Sequence, residues 1–184
     1  MSRAEATKAR ILAAATAEFS AYGIAGARVD RVAAAAEANK NLIYVYFSSK
    51  DQLFDAVFDA HVVRVLDEVP FTADDLPGYA GELFDFYRAH PDLLRLATWH
   101  RLERGALEVL PTVAESYRSK VDAIAKAQAD GVVASASPPA VVLSLVLALA
   151  ATWGSASASE IPSEDGVAVR RDAIRRTVRG LVAS

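Results

Sequence analysis

Apolar residues recur along this chain at three- and four-residue steps, the spacing that gathers them on one face of a helix, and no stretch alternates as a half-buried strand would. In the first such segment the stripe is Ile11, Leu12, Ala15, Phe19 and Tyr22. Ser2-Arg3-Ala4-Glu5 has the spacing of a capping box at its start, and Gly23 is placed to end it in a left-handed conformation. Two short helices are expected next: 28–36, with Val29, Val32, Ala33 and Ala36 inward, and 40–47, capped by Asn39. Ser49-Lys50-Asp51-Gln52 repeats the capping-box pattern and opens a long fourth helix through Leu53, Phe54, Val57, Phe58, His61, Val62, Val65 and Leu66, which Pro70 closes. After a connection over 70–78, helices are expected near 79–90, 92–104, 112–130, 140–156 and 165–182. Pro91, Gly105, Pro111, Gly131, Pro138, Pro139 and Pro162 supply the breaks. The pattern is that of an all-α protein of about nine helices.

At 184 residues and 53% hydrophobic content the chain can bury a substantial core. It has no cysteine, which excludes disulfide scaffolds, thiolate zinc sites and thiol catalysis and fits a reducing, cytoplasmic compartment. The polar start, Met1 to Arg10, lacks the apolar run and cleavage site of a signal peptide, so no export is expected. The most apolar run, 140–153, is interrupted by Ser144 and Thr152 and falls short of the ~20 residues a bilayer requires. It is expected as a buried helix, with no membrane partner. Charge is uneven: the first fifty residues carry seven Lys/Arg against four acids, a net +3, leaving −6 on the remainder of a chain whose total is −3. A cationic head on an acidic body suits a protein whose one end meets a polyanion.

The second and third helices are short, are joined by about three residues, and follow a helix able to support them, which is the plan of a helix-turn-helix unit. The run Ile11-Leu12-Ala13-Ala14-Ala15, Phe19, Tyr22-Gly23, Val29, Val32-Ala33, Ala36 and then Asn39 through Leu53 resembles the N-terminal domain of the TetR family of transcriptional regulators. Its most discriminating stretch is Leu42-Ile43-Tyr44-Val45-Tyr46-Phe47 with Lys50 and Leu53. The resemblance covers roughly the first 55 residues; beyond them helix order and length alone are similar. It implies a DNA-binding domain over 1–48 and an effector-binding and dimerisation domain over 49–184.

At 100° per residue, Ile43 and Phe47 share one face of the third helix and should anchor it, leaving Asn41 and Val45 opposite, flanked by Tyr44 and Leu42. An outward Asn41 can pair bidentately with adenine, while Leu42 and Val45 can contact thymine methyls, which points to A·T-containing half-sites. Lys40 at the groove-entering end and the hydroxyls of Tyr44 and Tyr46 are expected on phosphates or base edges, and the capping Asn39 is counted with them among the DNA-binding residues. Lys50, in the first turn of the fourth helix, is expected to clamp a phosphate. Two positions depart from the family's pattern. Glu37 stands where the turn usually has glycine, so a left-handed backbone there costs ~1 kcal/mol. Ala27-Arg28 stands where the second helix usually offers Ser or Thr, and Arg28 is the replacement phosphate contact.

Nothing marks an enzyme. His61, His90 and His100 are scattered outside metal-ligand spacing, and no nucleophile elbow, phosphate loop or glycine fingerprint is present, so no metal and no cofactor are expected. The resemblance implies a small-effector cavity among the fifth to seventh helices, where Phe84, Tyr87, Trp99, His100 and Tyr117 are the candidate lining; each is equally explained as an ordinary core aromatic. Arg101, Glu103 and Arg104 are read as a solvated face. The eighth helix is apolar nearly all round. The ninth offers Val167, Ile174, Val178 and Leu181 as a stripe opposite Arg170, Arg171, Arg175 and Arg179, so the last two helices look like half of a four-helix bundle completed by a second subunit. The expected function is a homodimeric, ligand-responsive repressor released from a pseudo-palindromic operator in double-stranded DNA by a small molecule. The alternative is a helical small-molecule carrier or interaction module with a decayed DNA head, for which Glu37 is the motive; an enzyme with an aromatic cavity ranks last.

Overall fold

The computed structural model describes residues 2–105, 109–154 and 166–183, and these form nine helices with no strand among them: α1 (Arg3–Gly26), α2 (Val29–Ala35), α3 (Lys40–Phe47), α4 (Lys50–Glu68), α5 (Leu76–Ala89), α6 (Pro91–Arg104), α7 (Pro111–Ala129), α8 (Pro139–Ala151) and α9 (Val167–Val182). The capping box of α1 is complete: Glu5 N–H donates to Ser2 Oγ at 3.2 Å, and Ser2 N–H donates to the Glu5 carboxylate at 2.6 Å. That of α4 is half formed. Gln52 N–H donates to Ser49 Oγ at 3.1 Å, but Ser49 N–H is taken by the Phe47 carbonyl at 2.6 Å, so the Gln52 side chain is not needed there.

The helix ends differ from expectation for local reasons. Gly23 adopts φ 71° and ψ −175°, which breaks α1 without ending it, since another helical turn runs on to Gly26. Three of the prolines expected as breaks begin helices: Pro91, Pro111 and Pro139 are the first residues of α6, α7 and α8, where the missing N–H has no partner to lose. Pro77 plays the same part in α5, which starts at Leu76 rather than Tyr79 because the Asp75 carboxylate caps it, accepting from Gly78 N–H at 2.8 Å. Helix α8 stops at Ala151; the expected end at Ala156 and the expected start of α9 at Asp165 lie outside the described residues.

Two compact units result. The first comprises Met1–Val62 with Asp92–Leu110, and the second Val63–Pro91 with Pro111–Ser184. The first is built on Ile11, Phe19, Ile43, Leu53, Phe54 and Leu96, all essentially inaccessible, with Phe19 and Phe54 edge to face at 5.2 Å. In the second, α5 packs on α8 and α9, α7 on α8, and α8 on α9, around Leu83, Phe84, Ile124, Leu143, Val146, Ile174 and Val178. The stripe of α9 is Ile174, Val178 and Val182; Val167, expected inward, is exposed, as are Val141 and Leu145 on α8. The arginines of α9 are partly engaged: Arg171 pairs with Asp85 at 3.0 Å, Arg170 lies over the Trp153 ring, and Arg175 crosses α5 at Gly81, where an added Cβ would come within 3.1 Å of its Cδ. Among the described residues, no helix is long and apolar enough to cross a membrane.

Candidate nucleic-acid interface

Helix α3 is a short rod pinned from beneath. Ile43 and Phe47 are buried, Leu42 and Tyr46 are half-buried, and Asn41, Tyr44 and Val45 are exposed, Val45 to 76%. An apolar β-branched side chain that bare, beside a polar amide and a phenol, forms a mixed surface able to meet both the edges and the methyl groups of base pairs. Asn39 is occupied with its own helix, its Oδ1 accepting from Asn41 N–H at 2.8 Å.

The cations around α3 are differently placed. Lys40 is paired with Asp30 of α2 at 2.8 Å, a mutual hydrogen bond that raises the lysine and lowers the carboxyl from their ordinary pKa values. Lys50 donates to the carbonyls of Ala25 and Ala27 at 3.2 and 3.3 Å, so it ties the start of α4 to the α1–α2 connection. Arg28 is exposed at the N-cap of α2 and gives that helix no side-chain cap. Its backbone N–H donates to Glu18 at 2.8 Å, and the same carboxylate oxygen accepts from Arg31 Nε at 2.8 Å. Burial works to raise the Glu18 carboxyl, but the Arg31 guanidinium and the Arg28 amide outweigh it and hold it below the ordinary carboxylate range. Glu18 thus takes the amide of the N-cap residue itself, as the carboxylate of a capping box does, while the first-turn amides of α2 gain no side-chain acceptor, and Arg10 adds a bond from its Nε to the Ala36 carbonyl at 3.1 Å.

The turn between α2 and α3 closes as a Schellman motif: Ala38 N–H reaches Ala33 O at 3.0 Å, and Glu37 N–H reaches Ala34 O at 3.2 Å. Glu37 occupies the residue that must be left-handed, at φ 49°. Glu37→Gly is therefore expected to raise stability by about 0.5–1 kcal/mol, read as a higher midpoint of thermal unfolding. A lower midpoint would mean that the Glu37 side chain contributes more than its backbone costs.

Helix α6 supports this head with residues whose expected roles were different, Trp99 and His100 as cavity lining and Glu103 and Arg104 as a solvated face. On α6, Arg95, Trp99 and Glu103 recur every fourth position and all meet the end of α1. Arg95 Nε and Trp99 Nε1 donate to Ser20 O at 3.1 and 3.3 Å, and the Glu103 carboxylate accepts from Ile24 and Ala25 N–H at 3.0 and 2.6 Å. The adjacent stripe, Leu96, His100 and Arg104, faces α4: His100 stacks on Phe54 and lies tilted against Phe58, and Arg104 pairs with Asp51 and Asp55. Glu103 and Arg104, expected on a solvated face, are thus structural. The four-residue spacing was the available signal, masked by the polarity of the residues carrying it.

The five aromatic candidates for a cavity are not brought to one place within either unit. Trp99 and His100 serve the first unit as just described. Phe84 is fully buried in the second against Trp153, Tyr87 is half-buried on the same helix, and the exposed Tyr117 donates to Ala140 O at 3.4 Å. Burial raises the Tyr87 phenol above its ordinary pKa. Among the described residues, no cluster of three or more His, Asp or Glu is poised to hold a metal.

A three-helix head with an exposed mixed face on its third helix, joined to a larger all-helical unit, defines the class of helix-turn-helix regulators. Comparison with known proteins narrows this. Residues 11–57 match the family "Bacterial regulatory proteins, tetR family", and residues 75–183 match "Tetracyclin repressor-like, C-terminal domain". The HTH-type transcriptional repressor SCO4008 of Streptomyces coelicolor is 46% identical over 149 residues, covering 79% of this chain and 77% of the relative. The crystal structure of the transcriptional regulator SCO4942 from the same organism superposes with a TM-score of 0.85 at 37% identity, covering 96% of this chain and 98% of that one. Salmonella enterica GusR, at 21% identity and a TM-score of 0.73 over 100% and 99% of the two chains, shares the fold. The chain belongs to the TetR family: it is a DNA-binding transcriptional repressor and not an enzyme.

Proposed function

We propose that the protein is a homodimeric repressor that holds a pseudo-palindromic operator through the outer face of α3 and is released from it by a small molecule. The observation that carries the DNA contact is the exposure of Asn41, Tyr44 and Val45 over buried Ile43 and Phe47. In this reading residues 1–48 bind DNA. Asn41 pairs with a base edge, Val45 and Leu42 contact methyl groups, and Arg28, Tyr44 and Tyr46 reach phosphates or base edges. On the DNA, Lys40 and Lys50 exchange Asp30 and the backbone carbonyls for phosphates.

Residues 49–184 sense the effector and dimerise. Support for a two-fold interface comes from α8, whose Val141, Ser144, Leu145, Ala148 and Thr152 are exposed on one face, an apolar surface of small and branched side chains suited to a second copy. A symmetric dimer presents its two α3 helices to half-sites about one turn, ~34 Å, apart. The cytoplasm, where the DNA is, is the expected compartment.

The test is sedimentation of the protein at micromolar concentration, followed by hydroxyl-radical footprinting on a fragment selected from the host genome. A dimer protecting two symmetric half-sites supports the proposal. A monomer, or one unsymmetrical protected patch, overturns it.

A further inference from the structure

Within the second unit, α7 faces the end of α4 and the segment that follows it across a cleft of about 470 Å³, a volume suited to a small organic ligand. Its walls are unlike. Leu66 and Phe71 supply an apolar side, while Ser116, Ser119 and Lys120 line the other from one face of α7. Lys120 is the unusual member. Its ammonium lies 5.9 Å from the Phe71 ring and 5.8 Å from the Tyr79 ring, and these rings meet edge to face at 4.9 Å. Among the described residues no carboxylate pairs with it. Burial lowers Lys120 from its ordinary pKa and raises the neighbouring Tyr79 phenol to about 12, so both groups sit in a poorly hydrated place.

A half-buried ammonium set over two rings at the wall of a cleft, with no carboxylate partner among the described residues, is placed to receive an anionic group from a ligand. We infer that this cleft takes a small organic monocarboxylate, its carboxylate on Lys120 and the Ser116 and Ser119 hydroxyls, and its apolar body against Leu66 and Phe71. Glu115, exposed at the edge of the same cleft, disfavours a second negative charge, which selects monoanions over diacids and phosphates. This rests on the effector-released repressor proposed above, and assigns the chemical class of its effector.

The probes are phenylacetate and hexanoate, each paired with its uncharged amide, titrated calorimetrically into the DNA-free protein. The wild type is expected to bind at least one acid about tenfold or more tightly than the matching amide, because a charge-assisted hydrogen bond is lost with the charge. Lys120→Met, which keeps the stem and removes the ammonium, is expected to erase that preference while melting no lower than the wild type. Ser116→Trp, which fills the cleft and keeps the lysine, is expected to lose acid and amide alike. Equal binding of acid and amide, no binding of either acid up to about 10 mM, or an acid preference that survives Lys120→Met overturns the inference. Retention on the operator is read separately. An acid that binds through Lys120 yet leaves the protein on its operator upholds the cleft and overturns release; release by neutral or cationic molecules without acid preference does the reverse.

Discussion

Gly23→Ala is expected to lower stability by about 3–5 kcal/mol and the midpoint of thermal unfolding by roughly 10 °C. Two independent costs add. The first is conformational: φ 71° with ψ −175° is a region that essentially only glycine occupies, and any side chain there costs ~1–3 kcal/mol. The second is steric, because a Cβ on Gly23 would lie 2.8 Å from Trp99 Cε3 and against the Glu103 carboxylate. Neither neighbour can yield without loss. Trp99 is held by its indole bond to Ser20 O, and Glu103 by the amides of Ile24 and Ala25. Gly26→Ala is the control, since its Cβ meets only Tyr22 Cβ at 3.4 Å in ordinary helical backbone, and this change should be neutral or slightly stabilising. If the two variants unfolded at the same temperature, the close fit of α6 on α1 would not be a determinant of stability.

The second large effect concerns DNA. Asn41→Ala combined with Tyr44→Ala is expected to weaken operator binding by about 2–4 kcal/mol, or roughly 30- to 1,000-fold, with the fold intact. Both side chains are exposed on α3, so truncation opens no cavity, and the anchors Ile43 and Phe47 are untouched. The pair carries no formal charge. Binding to random DNA, which is governed by phosphate neutralisation, should therefore keep its dependence on salt and lose far less strength than operator binding. A variant lacking Lys50 would behave differently, losing affinity for all sequences together.

Much of the head was legible from local spacing. Asn39 as a cap, the inward Ile43 and Phe47, and the left-handed Glu37 each follow from a few neighbouring residues, which is the range over which helical period and turn chemistry act. What was not legible depends on partners far away in the chain. Glu103 reads as a solvated acid until α6 is packed on α1, 78 and 79 residues earlier, where it caps the turn after Gly23. Glu18 reads as a surface residue until Arg28 and Arg31 converge on it. Lys120 belongs to an unremarkable polar helix unless Phe71 and Tyr79 are seen beneath it. The prolines misled for a different reason: a residue that cannot continue a helix is also well suited to begin one, and Pro91, Pro111 and Pro139 are used in the second way.

The outer face of α3 is proposed to read DNA sequence. This role is tested most directly by equilibrium binding of the wild type and the Asn41→Ala, Tyr44→Ala double variant to a genome-selected fragment and to random duplex, each over a range of salt. The wild type is expected to keep its preference for the selected fragment as salt rises, while the double variant binds both duplexes alike with an unchanged salt slope. A double variant that retained the wild-type preference would contradict it.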